Sequence, residues 1–429
     1  MKAAVIGLGV EGKKALESLL DHDWEVYATD SSTNIDFSDI GLPILDLNLI
    51  SNDDQIGFEM DDVIIDLGYT NENVINQCDA IVLSPSMYNT PLGEKYINQG
   101  KLLCDVLTKH KDIFTIAITG TNGKTTTVTM LEEILINAGL NVLTGGNAGG
   151  GFYGYYDLIL EAENGDYDVM LIEACDMTLD FVNYCFDIDI AGLTNIGNDH
   201  MNVHKTIENY KNTVANFFSN INDVFVRDVD YNDFKENISN PHIFDKYDKN
   251  LKLFGEFNKF NAGLAKSIAS KLDIDEEIID NTLTKFLPVD GRLKVIRLNE
   301  CDIYIGKTDN SSAVKSLLDE KHFYAAFIGT PRSNEESRLD ILDEIAASYP
   351  EVIVLFPGLE NTLDQAKYRL HDINFNGRVE IAFNLDDIIG FVAEYSFEDA
   401  IFIGGNGQDK IIEIQDRLEE ISKSLNEKN

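Results

Sequence analysis

The sequence predicts an α/β protein of three domains. Apolar runs of strand length alternate with segments of helical period from end to end, which is typical of helices layered on parallel sheets. The 429 residues allow two to four domains of ordinary size. Two glycine-rich turns, each directly after an apolar strand, indicate two separate nucleotide-binding folds. We therefore expect Rossmann-like first and last domains around a central parallel sheet.

Twelve apolar runs are predicted as strands, and two stretches as joints between domains. Polar residues at 109–112 precede a fresh strand, and the segment LPVDGR at 287–292 carries the Pro and Gly expected of a joint. These joints place the domains at 1–110, 111–293 and 294–429. The predicted strands are 2–6, 24–29, 62–67, 80–84, 115–119, 142–144, 168–173, 190–194, 224–227, 323–328, 352–356 and 400–403.

The composition predicts a folded protein with a strongly acidic surface. Lys and Arg total 34 against 74 Asp and Glu, so the formal net charge is −40. Such a surface repels phosphate backbones and anionic lipid, and we expect neither a nucleic acid nor a membrane as partner. No run approaches the roughly 18 apolar residues that cross a bilayer, and the start MKAAVIGLGVEG is typical of a first strand. We expect a monomer located in the cytoplasm.

The five cysteines include no CxxC pair. Their odd number in a large chain is typical of reduced, buried thiols, and argues against a disulfide framework or a zinc site.

The first glycine-rich turn, GLGVEG at 7–12, lies between the first predicted strand and a helix. Its glycines allow the backbone to approach a pyrophosphate, the helix N-terminus offers free N–H groups, and a carboxylate that ends the next strand can bind a sugar. The pattern leaves open a nicotinamide or flavin cofactor, a nucleotide-sugar substrate, or a turn that only packs. The candidate binding residues are Gly7, Gly9, Gly12 and Asp30, with Ser84 at the end of a later strand.

The second turn, TGTNGKTTT at 119–127, predicts a P-loop ATPase-like central domain. Its backbone N–H groups can cradle phosphates, Lys124 can neutralise the β and γ oxygens, and the Thr125 hydroxyl can bind Mg²⁺. It departs from the strict G-x-x-x-x-G-K-[ST] pattern because Ile118 occupies the first glycine position, while Gly120 supplies a glycine two residues later. The predicted ATP-binding residues are Gly120, Thr121, Asn122, Gly123, Lys124, Thr125 and Thr126.

The segment GTNGKTT resembles the nucleotide motif of the Mur ligase family, the ATP-dependent amide-forming enzymes of cell-wall precursor synthesis, which include folylpolyglutamate synthase. Further segments resemble other family motifs in the same order. These are GGN at 145–147, LIEA at 171–174, TNI at 194–196 with DH at 199–200, GEFN at 255–258 with NA at 261–262, and GR at 291–292.

The resemblance implies an amide synthesis in which the γ-phosphoryl group of ATP activates a carboxylate as an acyl phosphate. Lys124 and Arg292 would neutralise the moving phosphoryl charge, and Thr125 and Glu173 would hold Mg²⁺, with Mn²⁺ also admissible. His200 would bind a second ion or a phosphoryl oxygen. The first turn and Asn147 would bind a UDP-linked acceptor instead of a dinucleotide. The adenine candidates are Asn258 and Asn261, whose simpler interpretation is a helix cap.

The sequence departs from the family pattern at several places. A carbamoylated lysine that bridges two metals in the family falls here at Val214 or Ala215; Lys211, one turn earlier, could substitute, or a single metal could be bound. We expect His204 to be structural. In the third domain, Lys307 and Asn310 match part of a D-S-K-A-T-N segment. Phe257 replaces an adenine-segment His, and residues 404–408 lack the ionic residues of the family's terminal loop.

The predicted function is an ATP-dependent ligase that adds a free amino acid to a UDP-linked pseudomurein peptide precursor and releases ADP and phosphate. The acidic, Asn- and Ile-rich composition resembles the archaeal pseudomurein peptide ligases of methanogens. Alternatives are a Mur-like ligase on another carboxylate, such as one from nickel-tetrapyrrole coenzyme synthesis, and a non-catalytic nucleotide-binding subunit. A NAD-dependent oxidoreductase would leave the second turn unused. Closure around the reactants predicts hinge motion near 110 and 293.

Overall fold

The computed structural model describes residues 1–37, 48–52, 55–60, 62–147 and 152–426. Within these ranges the chain forms three six-stranded sheets in succession, each covered by helices. The predicted α/β class with three domains is confirmed. All twelve predicted strands are present, with ends shifted by at most two residues, and six further strands were not predicted.

The first sheet has a parallel body with an antiparallel edge. Its strands are β1 (Lys2–Ile6), β2 (Glu25–Asp30), β3 (Asn48–Asn52), β4 (Gln55–Met60), β5 (Val63–Leu67) and β6 (Ala80–Leu83). Its helices are α1 (Val10–Asp21), α2 (Glu72–Gln77), α3 (Pro91–Ile97) and α4 (Leu103–Val106). The order is β3-β4-β5-β2-β1-β6, and the pairs β3–β4 and β4–β5 are antiparallel. In this Rossmann-like sheet, β1 lies between β2 and the edge strand β6.

The second sheet is parallel throughout. Its strands are β7 (Phe114–Thr119), β8 (Val142–Gly146), β9 (Val169–Glu173), β10 (Ile190–Leu193), β11 (Asp223–Arg227) and β12 (Asn240–Phe244). Its helices are α5 (Lys124–Asn137), α6 (Tyr155–Asn164), α7 (Leu179–Cys185), α8 (Met201–His204), α9 (Ile207–Phe218), α10 (Asp228–Phe234), α11 (Glu256–Lys271) and α12 (Glu276–Leu283). In the order β12-β11-β10-β7-β9-β8, the strand before the phosphate loop lies between β10 and β9.

The third sheet is parallel except at its first strand. Its strands are β13 (Lys294–Leu298), β14 (Cys301–Ile305), β15 (Ala325–Gly329), β16 (Val352–Phe356), β17 (Arg378–Ile381) and β18 (Ala400–Gly405). Its helices are α13 (Ser311–Leu318), α14 (Ile341–Ala347), α15 (Leu363–Asp372), α16 (Leu385–Tyr395) and α17 (Gln408–Asn426). The order is β13-β14-β18-β15-β16-β17, with β13 and β14 as an antiparallel hairpin.

The first two sheets share one apolar core. A single cluster of buried side chains runs from β1 through β6 into α6 and one face of the second sheet. The Tyr156 hydroxyl on α6 accepts a hydrogen bond from the Leu83 amide at 3.1 Å and donates to the Leu83 carbonyl. Because a continuous core resists relative movement of the parts that share it, this packing favours motion at the joint near 293 over the predicted hinge near 110. No helix in the described ranges has both the length and the apolarity to cross a bilayer.

Candidate functional site

One cleft of about 1270 Å³ opens between the three sheets. Its walls are the loops that follow parallel strands, which is where ligands bind in open α/β sheets. All three predicted domains contribute to it. The wall segments are 9–11 after β1, 84–86 after β6, 121–126 after β7, 194–197 after β10, 307–309 after β14 and 407–409 after β18.

The phosphate loop is shaped by two glycines in the left-handed region. Gly120 has φ +126° and Gly123 has φ +87°. A Cβ atom on Gly120 would lie 2.3 Å from the Thr194 hydroxyl oxygen, and one on Gly123 would lie 2.2 Å from Asn261 Oδ1. No side chain fits at either position. Close packing therefore requires glycine at 120 and 123, although this spacing differs from that of the strict P-loop pattern.

Asn195, the second residue after β10, holds the loop in register. Its carbonyl accepts the Thr121 amide at 3.0 Å and its Oδ1 accepts the Asn122 amide at 3.2 Å. Its Nδ2 donates to the Asn122 carbonyl at 2.7 Å. The T-N pair noted in the sequence is therefore the brace of the phosphate loop. Thr126, the last predicted loop residue, also lines the cleft.

The Lys124 ammonium group lies over the loop at the start of α5. It donates to the carbonyls of Gly120 at 2.6 Å and Thr121 at 2.9 Å. Burial lowers the pKa of Lys124, but the surrounding acidic groups, with Asp176 foremost, outweigh it and raise that pKa. The ammonium is therefore charged at neutral pH and lies where a nucleotide phosphate would meet the loop amides.

A buried carboxylate lies beside the loop. Glu173, at the end of β9, is 1% exposed. It accepts hydrogen bonds from the Thr125 hydroxyl at 2.7 Å and from Asn147 Nδ2 at 2.9 Å. The Arg292 guanidinium donates to the same Thr125 hydroxyl. A hydroxyl and a carboxylate side by side are oxygen donors of the kind that suits a hard divalent ion, which would take the place of the guanidinium at the hydroxyl.

His200 also lines the cleft, beside an aspartate that the sequence analysis did not single out. Its Nδ1 is 3.0 Å and 3.1 Å from the two carboxylate oxygens of Asp176. His204 Nε2 contacts the same carboxylate at 2.6 Å, and its ring stacks on Tyr210. Burial raises the pKa of Asp176, but the two imidazoles and Lys124 hold it well below its usual range. His204 therefore supports the site through Asp176.

The suggestion that Lys211 replaces the family lysine is wrong. The Lys211 ammonium lies 2.7 Å from Asp233, and its side chain is not part of the cleft wall. Val214 is fully buried in the shared apolar core. The Lys211 side chain therefore reaches α10, which carries Asp233, instead of the cleft.

Asn258 and Asn261 brace the start of α11 against the phosphate loop. Each is 4% exposed, and Asn261 Nδ2 donates to Asn258 Oδ1 at 3.1 Å. Asn258 Nδ2 donates to the Phe254 carbonyl at 2.7 Å, which ties a residue just before the helix to its first turn without capping the free N–H groups. Both line the cleft, and a role in reading adenine stays a prediction. Phe257 packs against the apolar core of the third domain, in keeping with a packing role at that position.

The first glycine turn opens on the same cleft. A Cβ atom on Gly12 would lie 1.8 Å from the Gly7 carbonyl oxygen, and Gly7 itself has φ +89°. Asp30 accepts the Leu8 amide at 2.7 Å and therefore braces the turn from behind. Of the predicted residues, Gly9 and Ser84 line the cleft, while Gly7, Gly12 and Asp30 shape the turn.

The third domain brings an ionic cluster to the wall of the cleft. Asp309 lies 3.2 Å from the Lys307 ammonium and 2.7 Å from Arg338 Nη1. Arg338 Nη2 lies 3.7 Å from Asp199 Oδ1 and 3.4 Å from His200 Nε2, across the domain boundary. Burial lowers the pKa of Arg338, but Asp309 and Asp199 raise it. Asp309 was detectable from its place between the two predicted residues of this segment, whereas no motif marked Arg338.

A second contact across the boundary joins two predicted residues. The side-chain amides of Asn122 in the phosphate loop and Asn310 at the start of α13 exchange two hydrogen bonds, of 3.1 Å and 2.8 Å. The nucleotide loop and the third domain are thus in direct contact.

Comparison with known proteins agrees with this geometry. Residues 118–263 match the model of the Mur ligase middle domain. A UDP-N-acetylmuramoylalanine--D-glutamate ligase from Francisella tularensis subsp. novicida is 25% identical over 305 residues, or 64% of this chain and 70% of that protein. A pseudomurein peptide ligase type C from Methanothermus fervidus shares the fold with a TM-score of 0.59 and 18% identity, covering 97% and 99% of the two chains. MurF ligase from Thermotoga maritima, solved with ADP, has a TM-score of 0.62 and 15% identity, covering 82% and 91%.

The three α/β domains, with a phosphate loop at their common cleft, define an ATP-dependent enzyme that forms C–N bonds. The chain contains a Mur ligase middle domain at residues 118–263. It is an ATP-dependent peptide ligase of the Mur type.

Proposed function

We propose that the protein adds an amino acid to a UDP-linked pseudomurein peptide precursor through an acyl-phosphate intermediate, releasing ADP and phosphate. The observation that carries the proposal is the single cleft on which both glycine turns open. A nucleotide-linked acceptor at the first turn can thereby bring its carboxylate to the γ-phosphoryl group of ATP at the second. The likeness in fold to the Methanothermus fervidus ligase along nearly the whole chain supports the pseudomurein assignment.

The reaction has two displacement steps. A carboxylate oxygen of the acceptor attacks the γ-phosphorus, the bond to the β–γ bridging oxygen breaks, and ADP leaves. The amine nitrogen then attacks the acyl carbon, the C–O bond to phosphate breaks, and the amine loses a proton. Because both steps move anionic phosphoryl oxygens, fixed cations and alignment of the reactants supply most of the acceleration.

Lys124 and Arg292 supply the fixed cations in this proposal. The Lys124 ammonium exchanges its loop carbonyls for phosphate oxygens, and Arg292 moves from the Thr125 hydroxyl to the transferred group. Thr125 and Glu173 would hold Mg²⁺, which when bound neutralises charge on the phosphates. His200 Nε2, which faces the cleft beside Arg338, would bind a phosphoryl oxygen or a second ion.

The third domain would deliver the amino acid. Arg338 pairs with Asp309 of its own domain and with Asp199 of the central domain. The contact with Asp199 would therefore form when the two domains close. A closed cleft excludes water from the acyl phosphate, which would otherwise hydrolyse.

The test is a phosphate-release assay with ATP, Mg²⁺ and a panel of UDP-peptides and amino acids. We expect release that depends on both an acceptor and an amine, with a product heavier than the acceptor by one amino-acid residue in mass spectrometry. A cell extract's UDP-peptide pool serves as an unbiased acceptor source and identifies the amino acid and the carboxyl used. Release only with a carboxylate that carries no UDP, such as a tetrapyrrole acid, would contradict the proposal.

A further inference from the structure

A buried carboxylate held by two imidazoles lies beside the reaction cleft. Asp176 follows β9 by three residues and is 2% exposed. Both of its oxygens lie within 3.1 Å of His200 Nδ1, and one lies 2.6 Å from His204 Nε2. Since a buried carboxylate is tolerated only when it is paired, each imidazole must turn an N–H toward it. This arrangement is not part of the motif set that identifies the site.

The contact with Asp176 decides which nitrogen of His200 is available to ligands. With the Nδ1 proton donated to the carboxylate, the ring presents Nε2 to ligands, as an acceptor when the imidazole is neutral and as a donor when it is charged. Nε2 faces the cleft and lies 3.4 Å from Arg338 Nη2. A carboxylate behind a histidine commonly fixes its tautomer and its ring orientation in this way.

The backbone of His200 adds independent evidence that its position is enforced. His200 has φ +50° and ψ 33°, the left-handed conformation that residues with a side chain adopt rarely. Such a conformation persists where the surroundings hold it, and it concentrates at functional sites. Here the ring is held by Asp176 and the amide by Asp199 Oδ1 at 2.9 Å.

A cation site at this place is the competing interpretation. Ligand atoms of Cys175, Asp176 and His200 lie within 4.8 Å of one another. However, both Asp176 oxygens already accept N–H groups, and Cys175 Sγ lies 3.6 Å from one of them as a further donor. The carboxylate is therefore saturated with donors, which favours a hydrogen-bonded support over a metal ligand.

We propose that Asp176 is a positioning residue of the ligase reaction, which holds His200 with Nε2 turned into the cleft. His204 donates the second hydrogen bond that keeps the carboxylate buried and in place. This inference rests on the proposed function, in which His200 meets the phosphoryl group.

The test is Asp176→Asn, which keeps the size of the side chain. The amide has a single acceptor oxygen, whereas the carboxylate accepts N–H groups from two imidazoles, one on each oxygen. We expect kcat to fall roughly 10- to 100-fold, the usual effect of removing such a supporting carboxylate. KM for ATP should stay within about threefold, because the contacts of the phosphate loop are untouched. Asp157→Asn is the matched control, since Asp157 is a buried carboxylate of the same domain that does not line the cleft.

A second readout does not depend on catalysis. Long-range ¹H–¹⁵N spectra of histidine-labelled protein should show His200 protonated at Nδ1 in the wild type and a mixture of tautomers in Asp176→Asn. His204→Gln, which keeps an N–H donor to Asp176, should preserve the wild-type tautomer, while His204→Phe should not. These His204 variants test the inference even if Asp176→Asn fails to fold.

Two results would overturn the inference: a folded Asp176→Asn protein with wild-type kcat, or a wild-type spectrum with His200 protonated at Nε2 alone. If the wild type releases no phosphate with any pair of substrates, the proposed function fails by itself. The tautomer measurement on nucleotide-free protein then still decides whether Asp176 positions His200.

Discussion

The pair formed by Asn122 and Asn310 couples the nucleotide loop to the third domain, and its contribution can be measured. The two amides exchange two hydrogen bonds. Asn310 Oδ1 also caps α13 by accepting the Ala313 amide at 3.0 Å. A substitution that keeps the cap but shortens the side chain therefore isolates the contact between domains.

Asn310→Ser is that substitution, because serine is a good helix cap but is too short to pair with Asn122. Two hydrogen bonds at about 0.5 to 1.5 kcal/mol each amount to about 1 to 3 kcal/mol of net stabilisation of the closed arrangement. At about 1.4 kcal/mol per factor of ten, the ratio of open to closed molecules should rise by roughly 5- to 150-fold. Asn310→Ala should add about 1 kcal/mol of lost stability within the third domain, from the missing cap.

The ratio can be read by single-molecule fluorescence transfer between dyes on the first and third domains, with ATP present. The matched control is Asn71→Ser, a cap of α2 in the first domain that lies away from the joint. An open-to-closed ratio for Asn310→Ser within twofold of the wild type would refute the coupling. Equal melting temperatures of Asn310→Ser and wild type would show that the domain itself is intact.

Three further predictions concern single residues. Lys124→Ala should lower phosphate release at least 10²- to 10³-fold at an unchanged melting temperature, because it removes a main phosphoryl-charge stabiliser; wild-type rates would contradict this. Burial raises the pKa of Asp309, but its two neighbouring cations hold it well below its usual range. The ionised carboxylate therefore stabilises the fold above about pH 4 and loses this effect as the pH falls, so the melting temperatures of wild type and Asp309→Asn should converge on acidification. Gln415 holds the joint near 293 by accepting a hydrogen bond from the Gly291 amide at 2.9 Å and donating one to the Arg292 carbonyl at 2.9 Å. Gln415→Leu should therefore speed hydrogen exchange of the Gly291 amide. Unchanged exchange would refute this role of Gln415.

The central strands were predictable because both of their faces are buried. β9 and β16 are apolar at nearly every position and fully buried, so their runs stand out in the sequence. β12 and β17 lie at sheet edges and are largely exposed or half-buried, and their mixed residues carry no such signal. In the missed hairpin, β13 alternates buried and exposed residues over only five positions, and β14 is buried but has Asp302 within a run of only five residues.

The site was predictable where its residues are contiguous. The phosphate loop, Glu173 and His200 each belong to a short segment with a recognisable pattern, and the fold brings them to one cleft. Asp176 and Arg338 could not be found in this way, since their roles depend on contacts made across 24 and 138 positions of the chain. Likewise, the wrong suggestion for Lys211 came from its place one turn before Val214 and Ala215, whereas the long Lys211 side chain reaches Asp233 on the neighbouring helix.

The most direct test of the central claim follows one oxygen atom. An acceptor identified by the phosphate-release assay is labelled with ¹⁸O in the reacting carboxyl group and turned over with ATP and the amino acid. Attack of that carboxylate on the γ-phosphorus predicts one ¹⁸O atom in each phosphate released. Phosphate free of label, with amide product formed, would show that the carboxylate is not activated by phosphorylation and would contradict the account.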